Sequence, residues 1–232
     1  MQSEKEKNAV SASVGDGINE FIQKHRTPIF VLVALILLSL IAFIVVLSVM
    51  DVVRGKAISA VEEFSSRYET LLPSITEEYS EVDAEQLLAE LEAFALGHSG
   101  YAAGKAWSII ANIHGQKKDW PAVEAAWASA ARAAKKTYLV PLAFFNAGVA
   151  AEEQGKTDEA IDYYSSSLTA TANFPGAPRA QFAIGRLQES LGNTEAAIEA
   201  YRAVISGWSY DQVWPSLAHS RIIALEGEYK EE

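Results

Sequence analysis

Cysteine is absent from the 232 residues, which excludes disulfide staples, thiolate metal sites, thiol nucleophiles and lipid attachment through cysteine. Histidine is scarce. His25, His98, His114 and His219 are scattered, with no H-x3-H or H-E-x2-H spacing, so the sequence indicates no histidine metal site. Neither a phosphate-cradling G-x4-G-K-S/T loop nor a G-x-S-x-G nucleophile turn occurs. Adjacent acids such as Glu152 and Glu153 diverge on a helix surface and read as a solvated face rather than an acid–base pair. Positive charge is also in short supply, with 19 Lys and Arg against 30 Asp and Glu and a net charge of −11. Residues 1–50 balance four cations against four acids, so the whole deficit belongs to residues 51–232. Such a domain repels phosphate backbones, which argues against nucleic acid as a partner. The chain is therefore expected to be no enzyme, with no cofactor, no metal and no small-molecule substrate.

What the sequence does have is one long apolar run. Ile29 to Met50 contains no charge, glycine or proline, and 17 of its 22 residues are Ile, Leu, Val or Phe. At roughly −0.3 to −0.6 kcal/mol each, these side chains favour membrane insertion by about 5–10 kcal/mol. As a helix the run measures about 33 Å, enough to cross the hydrocarbon core. Pro28 stands just before it, where a missing N–H costs little. A buried core helix would rarely be apolar on every face. A cleaved signal peptide would be shorter and would end in a small-x-small site, which SVMDVVRG lacks. A retained transmembrane helix at 28–50 is expected, preceded by a tail at 1–27 of low hydrophobicity. Lys24 and Arg26 in front balance Arg54 and Lys56 behind, so flanking charge leaves the orientation open.

Beyond residue 100 the chain repeats itself. Pro141, Pro178 and Pro215 stand 37 apart, and other columns keep that register. Ala111, Gly148 and Gly185 align, as do Trp127, Tyr164 and Tyr201, and Gly155 with Gly192. Each unit reads as two helices, for instance FAIGRLQESLG followed by NTEAAIEAYRAVI. The small column lets the partner helix approach closely, and the aromatic column fills the space between hairpins. A lone hairpin cannot bury its apolar face, whereas stacked hairpins share a continuous core. Before the repeats, GKAISAVEEFSSRYETLL puts Ile58, Val61, Phe64, Tyr68 and Leu71 on one face and reads as a continuation of the membrane helix, ending at Pro73. DAEQLLAELEAFALG follows, with Asp83 as N-cap and Gly97 as its end.

These residues resemble the tetratricopeptide repeat (TPR), whose helices carry W-x2-L-G-x2-Y and A-x3-F. Here W-x2-I-A stands at Trp107–Ala111, F-x2-A-G at Phe144–Gly148, Ala160-x3-Tyr164 in the second unit and Ala197-x3-Tyr201 in the third. The resemblance implies an all-α chain: an N-terminal transmembrane helix followed by a TPR-like α-solenoid of helix hairpins. It divides into a cytosolic tail at 1–27, the span at 28–50, a linker helix and degenerate first repeat at 51–100, three repeats at 101–214, and a capping helix and tail at 215–232. The period exceeds the usual value of about 34, with extra length in loops such as NFPG at 173–176.

The family's concave groove, carried over column by column, implies a partner-binding surface. It consists of Ile109 and Asn112 in the first unit, then Leu142, Phe145, Asn146 and Val149, then Arg179, Phe182 and Arg186. Phe145 and Phe182 share a column and are expected to face the groove; the alternative is that both pack under a neighbouring segment or the capping helix. Some TPR co-chaperones clamp a terminal carboxylate with five such residues. Asn112, Asn146 and Arg179 match that clamp, while Ser108 and Ala183 replace two of its cations, with Arg186 one turn from Ala183.

The layout also resembles the YfgM-like ancillary subunits of the bacterial Sec translocon, notably in INEFIQKHRTPIF and in LEAFALGHSGYAAGKAWSIIANIHGQKKDWPAVEAAW. That likeness implies a single-pass inner-membrane protein with a cytosolic N-terminus and a periplasmic TPR domain. Its implied partners are proteins: translocon subunits, a periplasmic chaperone or exported chains. The alternatives are an envelope or division scaffold unrelated to secretion, and a cytosolic receptor for chaperone tails.

Overall fold

The computed structural model describes residues 23–74, 78–171 and 174–228. The tail at 1–22 and the last four residues, about which the sequence carries expectations, lie outside them. The described residues form helices and no strands. In chain order these are α1 (Arg26–Leu71), a single 3-10 turn (Leu72–Ser74), α2 (Glu78–Gly97), α3 (Tyr101–Gln116), α4 (Trp120–Ala134), α5 (Leu139–Glu153), α6 (Thr157–Ala170), α7 (Ala177–Ser190), α8 (Thr194–Gly207) and α9 (Trp214–Glu228). The chain divides into two units, Met1–Gly55 and Lys56–Glu232.

In the first unit, the apolar part of α1 is solvent-facing on all sides, with the large side chains from Phe30 to Val53 exposed. Among the described residues, α1 is the one helix long and apolar enough to cross a membrane. The second unit is an all-α, TPR-like solenoid. Each helix from α2 onward packs against its neighbours in sequence, and α3 also meets α5 as α7 meets α9. The last part of α1 belongs to this stack. Ala57, Val61 and Ser65 are buried there, while Ile58, expected on the same inward face, is exposed. Phe64 meets Phe94 edge-on at 5.4 Å, and Arg67 pairs with Glu90. The start of α2 differs from expectation as well. The helix begins at Glu78, so Asp83 lies within it and caps nothing.

The interior comprises three apolar clusters in series. The first joins the end of α1 to α2, α3, α4 and part of α5; the second spans α5, α6 and α7; the third joins α8 to α9. Alanine dominates the first two, and close helix packing recurs where glycine faces tyrosine. A Cβ on Gly148 would stand 2.9 Å from the Tyr164 ring, and one on Gly185 would stand 2.6 Å from the Tyr201 ring. The turn within each hairpin places one residue in the left-handed region: Gly155 at φ 71°, Gly192 at φ 76° and, in the first repeat, Lys118 at φ 55°. Glycine adopts this conformation without a steric penalty, whereas lysine does not. Lys118→Gly should therefore raise stability, and Gly155→Ala should lower it, each by about 1 kcal/mol, in urea unfolding of the detergent-solubilised full chain.

Candidate partner-binding groove

Two hollows open along the faces of α3, α5 and α7, the first helices of successive hairpins. The larger, about 930 Å³, lies where the α4–α5 and α6–α7 connections approach each other. Leu142, Phe145, Phe174 and Pro175 give it apolar walls, and Lys135, Lys136, Tyr138 and Arg179 stand around it. The smaller, about 340 Å³, lies between Tyr68 of α1, Asn112 and Gln116 of α3, Trp120 and Trp127 of α4, and Asn146 and Val149 of α5. Burial raises the pKa of Tyr68, opposed by its hydrogen bond with Gln116.

The groove residues expected from the repeat columns are divided among several environments. Leu142 (37% exposed) and Arg179 reach the larger hollow; Asn112, Asn146 and Val149 reach the smaller. Ile109 does not belong to the groove: at 2% exposure it packs in the first apolar cluster. Phe145 is likewise corrected. It is 7% exposed, its ring lying 5.4 Å from Tyr164 and 6.0 Å from Phe174, and what remains uncovered is floor rather than a projecting anchor. Phe182 is half-buried between Tyr201 at 5.1 Å and Trp214 of α9 at 5.5 Å. Both rings thus pack under neighbouring segments. The three residues matching a carboxylate clamp are not brought together, since Asn112 and Asn146 share one hollow and Arg179 lines the other. At the two columns where clamp cations are replaced, Ser108 is buried and bonded to the Lys105 carbonyl, and Ala183 is buried.

Arg186 has a different task. Its guanidinium donates to both oxygens of Glu152, at 2.6 and 2.7 Å, and Glu152 also accepts from the Tyr164 hydroxyl at 3.1 Å. The arrangement recurs one repeat on: Glu189 accepts from the Tyr201 hydroxyl at 2.9 Å and from Arg221 of α9. One carboxylate thus ties the second helix of its own hairpin to the first helix of the next. Burial, with Glu152 beside it, holds the Tyr164 hydroxyl far above its ordinary pKa. Burial and then the Glu189 hydrogen bond push Tyr201 up to about 12. At Glu189, burial is outweighed by the hydrogen bonds from Arg221 and Tyr201, and the carboxyl is held below its usual range. In the earlier interface Glu124 of α4 plays the tying role, accepting from Lys156 at 2.8 Å, Gln154 at 2.8 Å and Tyr163 at 3.3 Å.

Sequence reasoning missed Tyr68, Lys135, Lys136, Tyr138 and Phe174. The signals were present, namely a Lys-Lys pair followed by an aromatic just before α5, and an aromatic in the NFPG segment. Apart from Tyr68, which lies on α1 ahead of the repeats, these lie in connections, where a repeat column carries no expectation.

Comparison with known proteins agrees with the helix stack. The Tetratricopeptide repeat family pattern matches residues 110–173 and 166–211. The repeats of the solenoid are similar to that family over those residues. A TPR repeat-containing protein of Treponema pallidum (strain Nichols) is 35% identical over 141 residues, covering 60% of this chain, and the chain spans 58% of that relative's length. Crystal structures of nearly identical TPR-like repeats from a Podosopora anserina kinesin light chain, and of a single-substitution variant, superpose with TM-scores of 0.53 and 0.54 respectively. Each covers 74% of this chain and 90% of its own at 10% identity, a likeness of fold alone.

Two outcomes follow from the buried rings and the carboxylate ties. Phe145→Ala should cost about 3 kcal/mol in urea unfolding, as for other buried rings, whereas Leu142→Ser at the groove rim should cost under about 1 kcal/mol. The pH dependence has a worked sign. A tyrosine with a raised native pKa contributes stability that is complete below its unfolded value of about 10 and is lost as pH climbs towards about 12. A carboxyl with a lowered native pKa contributes stability above about 4.3 that is lost as pH falls through the native value. Thermal melts of Tyr201→Phe should therefore flatten the alkaline limb, and those of Glu189→Gln both limbs.

Proposed function

We propose that this chain is a membrane-tethered docking module in which α1 spans the bilayer and the TPR solenoid receives segments of partner proteins. TPR repeats mark a protein-interaction module, and the observation that carries the tether is on α1. Its apolar side chains are exposed around the whole helix circumference, a surface that water does not tolerate and a bilayer accommodates. The chemistry of the solenoid is that of holding rather than transforming. Its titratable groups with shifted pKa values are spent on ties between helices, and the hollows between repeats have apolar walls.

The finer reading places the N-terminus in the cytosol and the repeats on the exported side of the inner membrane. There they would hold incompletely folded exported chains or dock a membrane-bound chaperone beside the Sec translocon. This reading is supported by the layout shared with YfgM-like subunits: a short tail, one span, a degenerate first repeat and then TPR units. The acidic domain fits such a task, because like charge keeps crowded chains and their holders from coaggregating.

The cysteine-free chain permits a direct test. A single cysteine introduced as Lys136→Cys should react with a membrane-impermeant maleimide in spheroplasts, and one introduced as Glu4→Cys should react after lysis alone. The opposite pattern would remove the translocon reading. Photo-crosslinkers at Leu142 and Val149 should capture translocon subunits and nascent exported chains. Capture of one folded envelope protein would instead identify a scaffold.

A further inference from the structure

Resting on the docking role proposed above, we propose that the larger hollow binds an acidic peptide segment bearing an apolar anchor, with Lys135, Lys136 and Arg179 receiving its carboxylates. The charge pattern carries this. The residues lining the hollow include these three cations and no acid, in a chain where acids outnumber Lys and Arg by 30 to 19. None of the three forms an ion pair with another described residue. Between the helices of the same repeats other cations are engaged: Lys156 with Glu124, Arg186 with Glu152, and Arg221 with Glu189. Three unengaged cations, with no acid among them, therefore meet in a single concavity.

The geometry adds the apolar half of the specificity. Arg179 lies over the Phe145 ring with 5.1 Å from its guanidinium carbon to the ring centroid, which leaves its outer edge available to a carboxylate. Leu142 and Phe174 give the same hollow an apolar slot alongside that cation and the two lysines, and Tyr138, 67% exposed, lines it as well. A volume near 930 Å³ has room for a few side chains rather than a folded surface. The net charge of −11 does not prevent this. At physiological salt the screening length is about 8 Å, so the remote acids are damped while three cations in contact with the ligand are not. A basic segment would meet the reverse: attraction to the domain at long range, and repulsion and unpaired charge in the slot.

The test uses the full chain in zwitterionic nanodiscs and the fluorescein-labelled peptide Glu-Asp-Leu-Phe-Asp-Glu, with Lys-Lys-Leu-Phe-Lys-Lys as counterpart, read by fluorescence anisotropy. The acidic peptide should bind at least about tenfold more tightly than the basic one. Its affinity should fall several-fold as NaCl rises from about 50 to about 300 mM. Lys135→Glu with Lys136→Glu should weaken acidic-peptide binding by about tenfold or more and strengthen the basic peptide, a gain that misfolding cannot mimic. Arg179→Gln and Leu142→Ser should each weaken it several-fold. Equal binding of the two peptides, or indifference to charge reversal, overturns the proposal. So does capture of phosphatidylglycerol vesicles without the peptide, which would assign the cations to lipid headgroups. If neither peptide binds but a photo-crosslinker at Val149 still captures polypeptide, the acidic specificity fails and the docking role stands. If both fail, the docking role fails with it.

Discussion

The solenoid depends on one recurring contact: a tyrosine ring laid against a glycine, with its hydroxyl delivered to a carboxylate. Tyr164 on Gly148 and Tyr201 on Gly185 each pack where any side chain in place of the glycine would collide with the ring. Because the rings are buried, their hydroxyls need an acceptor, and Glu152 and Glu189 supply it. Those carboxylates in turn are neutralised from the following repeat, by Arg186 and Arg221. Packing, hydrogen bonding and charge pairing thus run through the same residues, and the spacing between hairpins is set by the length of that chain of contacts.

The first repeat solves the same problem with other chemistry. Its aromatic is Trp127, which has no hydroxyl to offer, its small residue is Ala111, and the carboxylate position is taken by Gly115. Here the tie to the next repeat comes from Glu124, on the second helix instead of the first, gathering Lys156, Gln154 and Tyr163. The apolar cluster at this end is also the largest, drawing in Val61, Leu87 and Leu91 from the helices ahead of the repeats. Apolar area here adds to a polar tie of different make, and the two strategies meet at α5, whose residues contribute to both clusters.

Much of this was legible in the sequence because it was periodic. The glycine and tyrosine columns stand in one register, although the rings, expected between hairpins, lie against the glycine of their own hairpin; the all-helical fold follows from the hairpin pattern. What escaped notice lay outside the period. Phe145 occupies a groove column, but Phe174, from a connection with no fixed length, folds against it and turns an expected anchor into floor. Phe182 is covered in the same way by Trp214, which begins the last helix. Asp83 has the chemistry of an N-cap, yet α2 begins at Glu78, where apolar packing of Ala84, Leu87 and Leu91 holds the helix in place regardless of the local signal. The lysine pair at 135–136 sits in a turn, and its meaning emerges when a second turn closes beside it.

The division of the interior into three clusters in series has a consequence for how such a molecule diversifies. With no single centre on which every side chain depends, a change in the last hairpin is felt by α8 and α9 and fades within one neighbour. A lineage can therefore rewrite one connecting turn, recruit a different occupant there, and leave the remaining scaffold in register, so that novelty at the rim comes without a rebuilt interior.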